Sequence, residues 1–207
     1  MPPAPRVLAI SPSRTGPWVH ELDALRDAGV EALMLRLTDE PAALETVLAA
    51  AVAAGLTVLV RPVRDGDVAR AWAAGAGIHQ PDRDPPTRSS TYLASTSCHD
   101  AERVQAAGAA GLDLCTLAPV FPPGSKPDDL RAPLGLTGLR AAAARAPGFP
   151  ILALGGVRAE RVPDLLDAGA HGIAGITGFF DGGRVDRAGA TRIAAAVAAH
   201  RAGSQRH

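Results

Sequence analysis

The chain has 207 residues, 47% hydrophobic and only 3% aromatic, and its 21 basic and 21 acidic side chains balance to zero net charge. That balance argues against broad adhesion to nucleic acid or membrane but leaves room for a local cationic pocket. The length suits one domain, 1–207, with a core of Ala, Val, Leu and Ile. Cys98 and Cys115 lack a CxxC spacing, so they give no zinc signature and no disulfide framework; buried thiols are expected. Met1 to Arg6 contains no apolar signal-peptide region and no apolar run is long enough to span a bilayer, so the expected location is the cytoplasm.

In chain order, Val7 to Ile10 reads as a strand and Trp18 to Ala28 as a helix stopped by Gly29. Ala32 to Leu37 is strand two, and Pro41 to Ala54 an Ala-rich helix with Pro41 in its first turn. Leu56 to Val60 is strand three, Asp67 to Ala74 a helix, and Gly77 to His79 a short strand four. Gln80 to Ser90 is polar and proline-rich, so the fourth helix is expected to be short or missing. Strand five spans Thr91 to Ser97, a helix Asp100 to Ala109, and strand six Leu112 to Leu117. A long loop from Phe121 to Pro133 precedes a helix over Leu136 to Arg145. Strand seven, Leu152 to Val157, leads to a helix from Glu160 to Ala168; strand eight, Gly172 to Gly178, leads to a last helix from Arg187 to His200. Eight strands alternating with helices argue for an α/β fold, a (β/α)8 TIM barrel.

In such a barrel the chemistry gathers where strands end. The ends of strands seven and eight supply Gly155, Gly156, Thr177 and Gly178, where glycine admits close backbone approach and the next helix offers free amides for a phosphate. Arg36 ends strand two; Arg61, Arg64 and Asp65 follow strand three; His79, Asp82 and Asp84 follow strand four. Ser97 and His99 follow strand five, and Ser125 and Lys126 lie in the loop after strand six. Asp65 and Asp84, after adjacent strands, could converge on Mg²⁺, with Arg36 and Lys126 flanking a polyphosphate. His79 and His99 read more simply as hydrogen-bonded rim residues than as general bases. Two anionic pockets at one rim suggest two phosphorylated substrates.

These motifs resemble a family. His79-Gln80-Pro81-Asp82-Arg83-Asp84, Ser95-Thr96-Ser97-Cys98-His99, Ala118 to Pro127, Pro133-Leu134-Gly135 and Ala153-Leu154-Gly155-Gly156-Val157 look like thiamine phosphate synthase and its relative, the thiazole tautomerase. The resemblance implies that hydroxymethylpyrimidine diphosphate is coupled to thiazole phosphate, releasing diphosphate. It further implies that Asp65 and Asp84 hold Mg²⁺, that Arg36, Ser97 and Lys126 contact the diphosphate, and that Gly156 and the backbone near Ile176 and Thr177 hold the thiazole phosphate. Partners are then phosphorylated small molecules, with no nucleic acid and no membrane; a homo-oligomer is left open.

The sequence departs from the family at Met34 and Thr38, where Gln and Lys are usual. Arg64-Asp65 stands for an Asn-Asp pair, and Arg64 could restore the charge missing at Thr38. Pro123 replaces a threonine, and Pro119 replaces the tautomerase's catalytic His. Two alternatives therefore stand beside the transferase: a tautomerase-like isomerase, and a non-catalytic homologue that binds a thiamine-pathway phosphate ester.

Overall fold

The computed structural model describes residues 3–88, 91–122 and 131–204. Eight parallel strands close into a barrel: β1 (Val7–Ile10), β2 (Ala32–Leu35), β3 (Thr57–Val60), β4 (Gly77–Gln80), β5 (Ala94–Cys98), β6 (Leu114–Leu117), β7 (Ile151–Ala153) and β8 (Gly172–Gly175), with β8 paired back to β1. Outside run α1 (Leu22–Asp27), α2 (Leu44–Ala53), α3 (Asp67–Ala73), α4 (Ala101–Ala109), α5 (Gly135–Arg145), α6 (Val162–Asp167) and α7 (Arg187–Ser204). None of the described residues between β4 and β5 is helical, in keeping with the proline-rich sequence there.

The period-two alternation of strand side chains divides the core. Leu8, Ile10, Ala32, Met34, Leu59, Leu114, Leu152 and Ala174 form a buried cluster inside the barrel. Their neighbours, among them Val7, Leu33, Leu35, Val58 and Ile173, pack in the cluster that includes the helix residues. With so few aromatics, the interior is filled by branched aliphatics; truncating one to Ala costs roughly 2–5 kcal/mol. Cys98 and Cys115 are buried free thiols.

The strands are shorter than the apolar runs, because the chain turns as soon as glycine permits. β7 stops at Ala153, and Gly155 and Gly156 follow at φ 101° and 59°. The expected helix from Trp18 splits instead into a 3-10 turn (Pro17–His20) and α1. Glu21 breaks it: its Oε2 accepts from the Val185 amide at 2.9 Å, and its Oε1 pairs with Arg184. These partners belong to a hairpin that the sequence reading missed, β9 (Phe180–Asp181) with β10 (Arg184–Val185). Its signal was Asp181-Gly182-Gly183, since both glycines have positive φ, as a tight hairpin turn requires. The hairpin packs on Trp18, whose ring meets Phe180 edge-on at 5.5 Å.

Candidate active site

A cavity of about 810 Å³ opens at the carboxyl ends of the strands. Its volume lies within the range of small-molecule sites. Arg36, Ser97, Gly155, Gly156, Ile176 and Thr177, all expected at the site, line it.

One side of the cavity is backbone. The amides of Gly155, Gly156, Thr177 and Gly178, after the adjacent strands β7 and β8, donate to none of the described residues. Free amides in consecutive turns make an anion-binding concavity. Gly156 also has a packing reason to be glycine: a Cβ there would lie 2.6 Å from the Pro122 carbonyl oxygen and 2.8 Å from the Phe121 Cβ. Arg161 holds this turn from behind, donating to the Gly156 carbonyl at 2.9 Å and lying 4.4 Å over the Phe121 ring. One amide of the helix end expected to assist is already engaged. Asp186 Oδ1 accepts from the Gly189 amide at 2.8 Å and caps α7. Side-chain positive charge here comes from Arg158, Arg161 and Arg192, which line the cavity and were not singled out from the sequence.

The other side is built from side chains. Arg36 and Arg61 continue the inward alternation of β2 and β3 by one step beyond Met34 and Leu59. Burial, and next the neighbouring Arg61, lower the Arg36 pKa from its ordinary value. The Arg36 Nε is buried without a hydrogen-bond partner. Next in the layer is His79, whose Nδ1 lies 2.8 Å from Ser95 Oγ and whose Nε2 lies 2.9 Å from Ser97 Oγ. Burial foremost, then Arg61, pushes the His79 pKa down to about 3, so the ring is neutral and holds Ser97 in place. His99 likewise has partners: its Nδ1 meets the Ala118 carbonyl, and its Nε2 lies 3.0 Å from Asp82 Oδ2.

Three expected residues do not line the cavity: Arg64, Asp65 and Asp84. Arg64 turns to Asp67, with Nη2 3.3 Å from Oδ1. The buried Asp67 organises this turn by accepting from the amides of Val63 at 3.0 Å and Arg64 at 2.9 Å. Asp65 is exposed on the same turn, its carbonyl receiving Arg70 at 3.2 Å. Asp84 is exposed; its carboxylate faces Arg83 at 3.7 Å while α4 holds its carbonyl through Arg103. Asp65 and Asp84 therefore do not fit as the pair that holds Mg²⁺. Among the described residues no three His, Cys, Asp or Glu gather into a group that could hold a metal. Asp82 is the carboxylate that reaches the cavity from this loop, and it is engaged by His99. Ser125, Lys126 and Pro123 lie outside the described residues.

The chain is similar to known proteins in sequence and in fold. A family model described as "Thiamine monophosphate synthase" matches residues 7–179. A thiamine-phosphate synthase of Mycolicibacterium paratuberculosis is 37% identical over 144 residues, covering 66% of this chain and 62% of that one. One from Azoarcus is 34% identical over 154 residues, covering 70% of each. The chain thus spans 62% of the length of the Mycolicibacterium relative. In structure, a thiamine phosphate pyrophosphorylase from Pyrococcus furiosus superposes with a TM-score of 0.73 at 20% identity, over 94% of this chain and 96% of that one. At that identity the likeness speaks for the barrel alone. No helix among the described residues is long and apolar enough to cross a membrane.

Proposed function

Because the chain belongs to the thiamine monophosphate synthase family, we propose that it is a transferase that joins hydroxymethylpyrimidine diphosphate to thiazole phosphate. The bond from the pyrimidine methylene carbon to the diphosphate oxygen breaks, and diphosphate leaves with the electron pair. The thiazole nitrogen then attacks the cationic carbon, giving thiamine phosphate. Such a reaction asks the protein for position and for charge at the leaving group rather than for a base.

The observation that carries this reading is the pairing of two unlike anion sites in one cavity. The free amides of Gly155, Gly156, Thr177 and Gly178 suit a terminal monophosphate, with Arg158 and Arg192 beside them. Arg36, half-buried and with an unpartnered Nε, suits the diphosphate across the mouth. Ser97, fixed by neutral His79, would orient that group, and the family resemblance gives Lys126 and Ser125 a part in binding it. The family generally works with Mg²⁺, but Asp65 and Asp84 do not line the cavity that would receive it.

Two features keep a non-catalytic binder in view. Met34 places an apolar side chain in the cavity wall where the family usually has Gln, and Thr38 stands where the family usually has Lys. The deciding assay incubates the protein with both phosphorylated substrates and Mg²⁺ and measures thiamine phosphate. Product is the expected result. No product, with thiazole phosphate still binding in calorimetry, would overturn the transferase in favour of the binder.

A further inference from the structure

The β2–β3 rim carries two guanidiniums and no carboxylate to match them. β2 and β3 pair in the register Met34 to Leu59 and Leu35 to Val60, and the Arg61 amide donates to the Leu35 carbonyl at 3.0 Å. One further step puts Arg36 beside Arg61. Like charges at neighbouring strand positions repel, and taking them out of water adds a second cost.

Among the described residues only Asp39 acts against those costs, and from a distance. Arg36 Nε is buried without a partner, and the Arg61 side chain makes no hydrogen bond or ion pair with any described residue. Asp39, the acid that acts on Arg36, is engaged by Ser13 at 2.6 Å and by Arg14 at 3.8 Å. His79, the next residue in the layer, is neutral and hydrogen-bonded on both ring nitrogens. The rim is therefore a pair of cations with open donors facing a cavity, a costly arrangement unless a polyanion occupies it. Guanidiniums suit phosphoryl oxygens because their donors are fixed in a planar fork.

We propose that Arg36 and Arg61 together grip the substrate's diphosphate directly, so that this chain needs no protein-held divalent cation for that group. The identity of the ligand rests on the transferase reading above; the gripping pair does not. Arg61 thereby fills with positive charge the place for which Asp65 and Asp84 were expected to bring Mg²⁺.

The test is calorimetric titration of the whole protein with inorganic diphosphate, once with Mg²⁺ and once with EDTA. The expected affinity in EDTA is within about threefold of that in Mg²⁺. Arg61→Met, with its fold checked by circular dichroism, should weaken binding roughly tenfold or more, and Arg61→Lys by an intermediate factor. Loss of binding in EDTA, or wild-type affinity in Arg61→Met, would overturn the proposal. EDTA-resistant, Arg61-dependent binding without thiamine phosphate formation would sink the transferase reading alone. Coupling that requires Mg²⁺ and survives Arg61→Met would sink this one alone.

Discussion

The two sides of the cavity mouth use different materials for similar work. After β7 and β8 the positive potential begins with backbone amides held by glycine turns, to which Arg158, Arg161 and Arg192 add charge. After β2 and β3 it comes from arginine side chains on the inward face of the strands. A backbone site is tied to the fold, since the turns that present the amides also end the strands. A side-chain site is separable from the fold and can even work against it. Substitutions on the first side should therefore reduce stability and binding together, and those on the second should affect function alone.

The largest effect is expected on the separable side. Arg36→Met should lower coupling turnover roughly a hundred- to a thousandfold, as removal of a charge-stabilising donor does. Its melting temperature should stay level or rise, because a desolvated cation beside Arg61 is removed from a site without a carboxylate partner. Thermal melts and steady-state kinetics on one preparation test both halves. A clear fall in melting temperature would make Arg36 structural and erase the contrast.

Gly156→Ala tests the fold-tied side. The new methyl would meet the Pro122 carbonyl oxygen at 2.6 Å on a residue held at φ 59°. Stability should fall by roughly 1–3 kcal/mol, and the KM for thiazole phosphate should rise. Calorimetry with inorganic diphosphate should show the opposite side unchanged. A variant that binds thiazole phosphate normally would show that the amides are not the cradle.

The sequence disclosed these sides unequally. Leu154-Gly155-Gly156 and Ile176-Thr177-Gly178 announce themselves, because a glycine ending an apolar run has few other uses. The barrel was legible for the same reason: its strands are short apolar runs punctuated by turns. The Arg36–Asp65 side depended on register, and there motif spacing misled. Counting inward positions from Leu59 arrives at Arg61, whereas matching the Asn-Asp motif arrives at Arg64 and Asp65 on the outer turn. Period two was the better guide, since it follows from the pleat rather than from a motif that an insertion can displace. Arg158 and Arg192 carried no local signal, because a surface arginine looks the same whether or not it borders a cavity.

His79 joins the two behaviours, since its neutrality matters to both fold and site. Its folded pKa, pushed down to about 3, lies below the ordinary imidazole value of 6.5, so the unfolded chain binds the proton more readily. The stability due to this is complete above the unfolded value and is lost as pH falls through it, at about 1.4 kcal/mol per pH unit. His171, also lowered chiefly by burial, adds in the same direction. Denaturant melts should therefore show a loss of about 1 kcal/mol between about pH 7 and 5.5, above the range where carboxylates titrate. A flat profile over that window would mean that His79 accepts a proton in the folded state and is not the neutral support drawn here.

The smallest effect is expected at Asp84, and it bears most directly on how the diphosphate is held. Asp84→Asn removes a charge that, among the described residues, faces Arg83 at 3.7 Å, with both side chains largely in solvent. An exposed pair of this kind contributes little, so stability and turnover should each change by less than about threefold in the corresponding constants. Asp65→Asn should be equally mild. The Mg²⁺ dependence of turnover should be unchanged in both, whatever that dependence is in the parent protein, because neither carboxylate lines the cavity. If either variant needs much more Mg²⁺ to reach half-maximal rate, then the loop after β3 or β4 swings inward during turnover. The arginine pair would then share the diphosphate with a metal ion, and the two sides of the mouth would differ less than their resting structure implies.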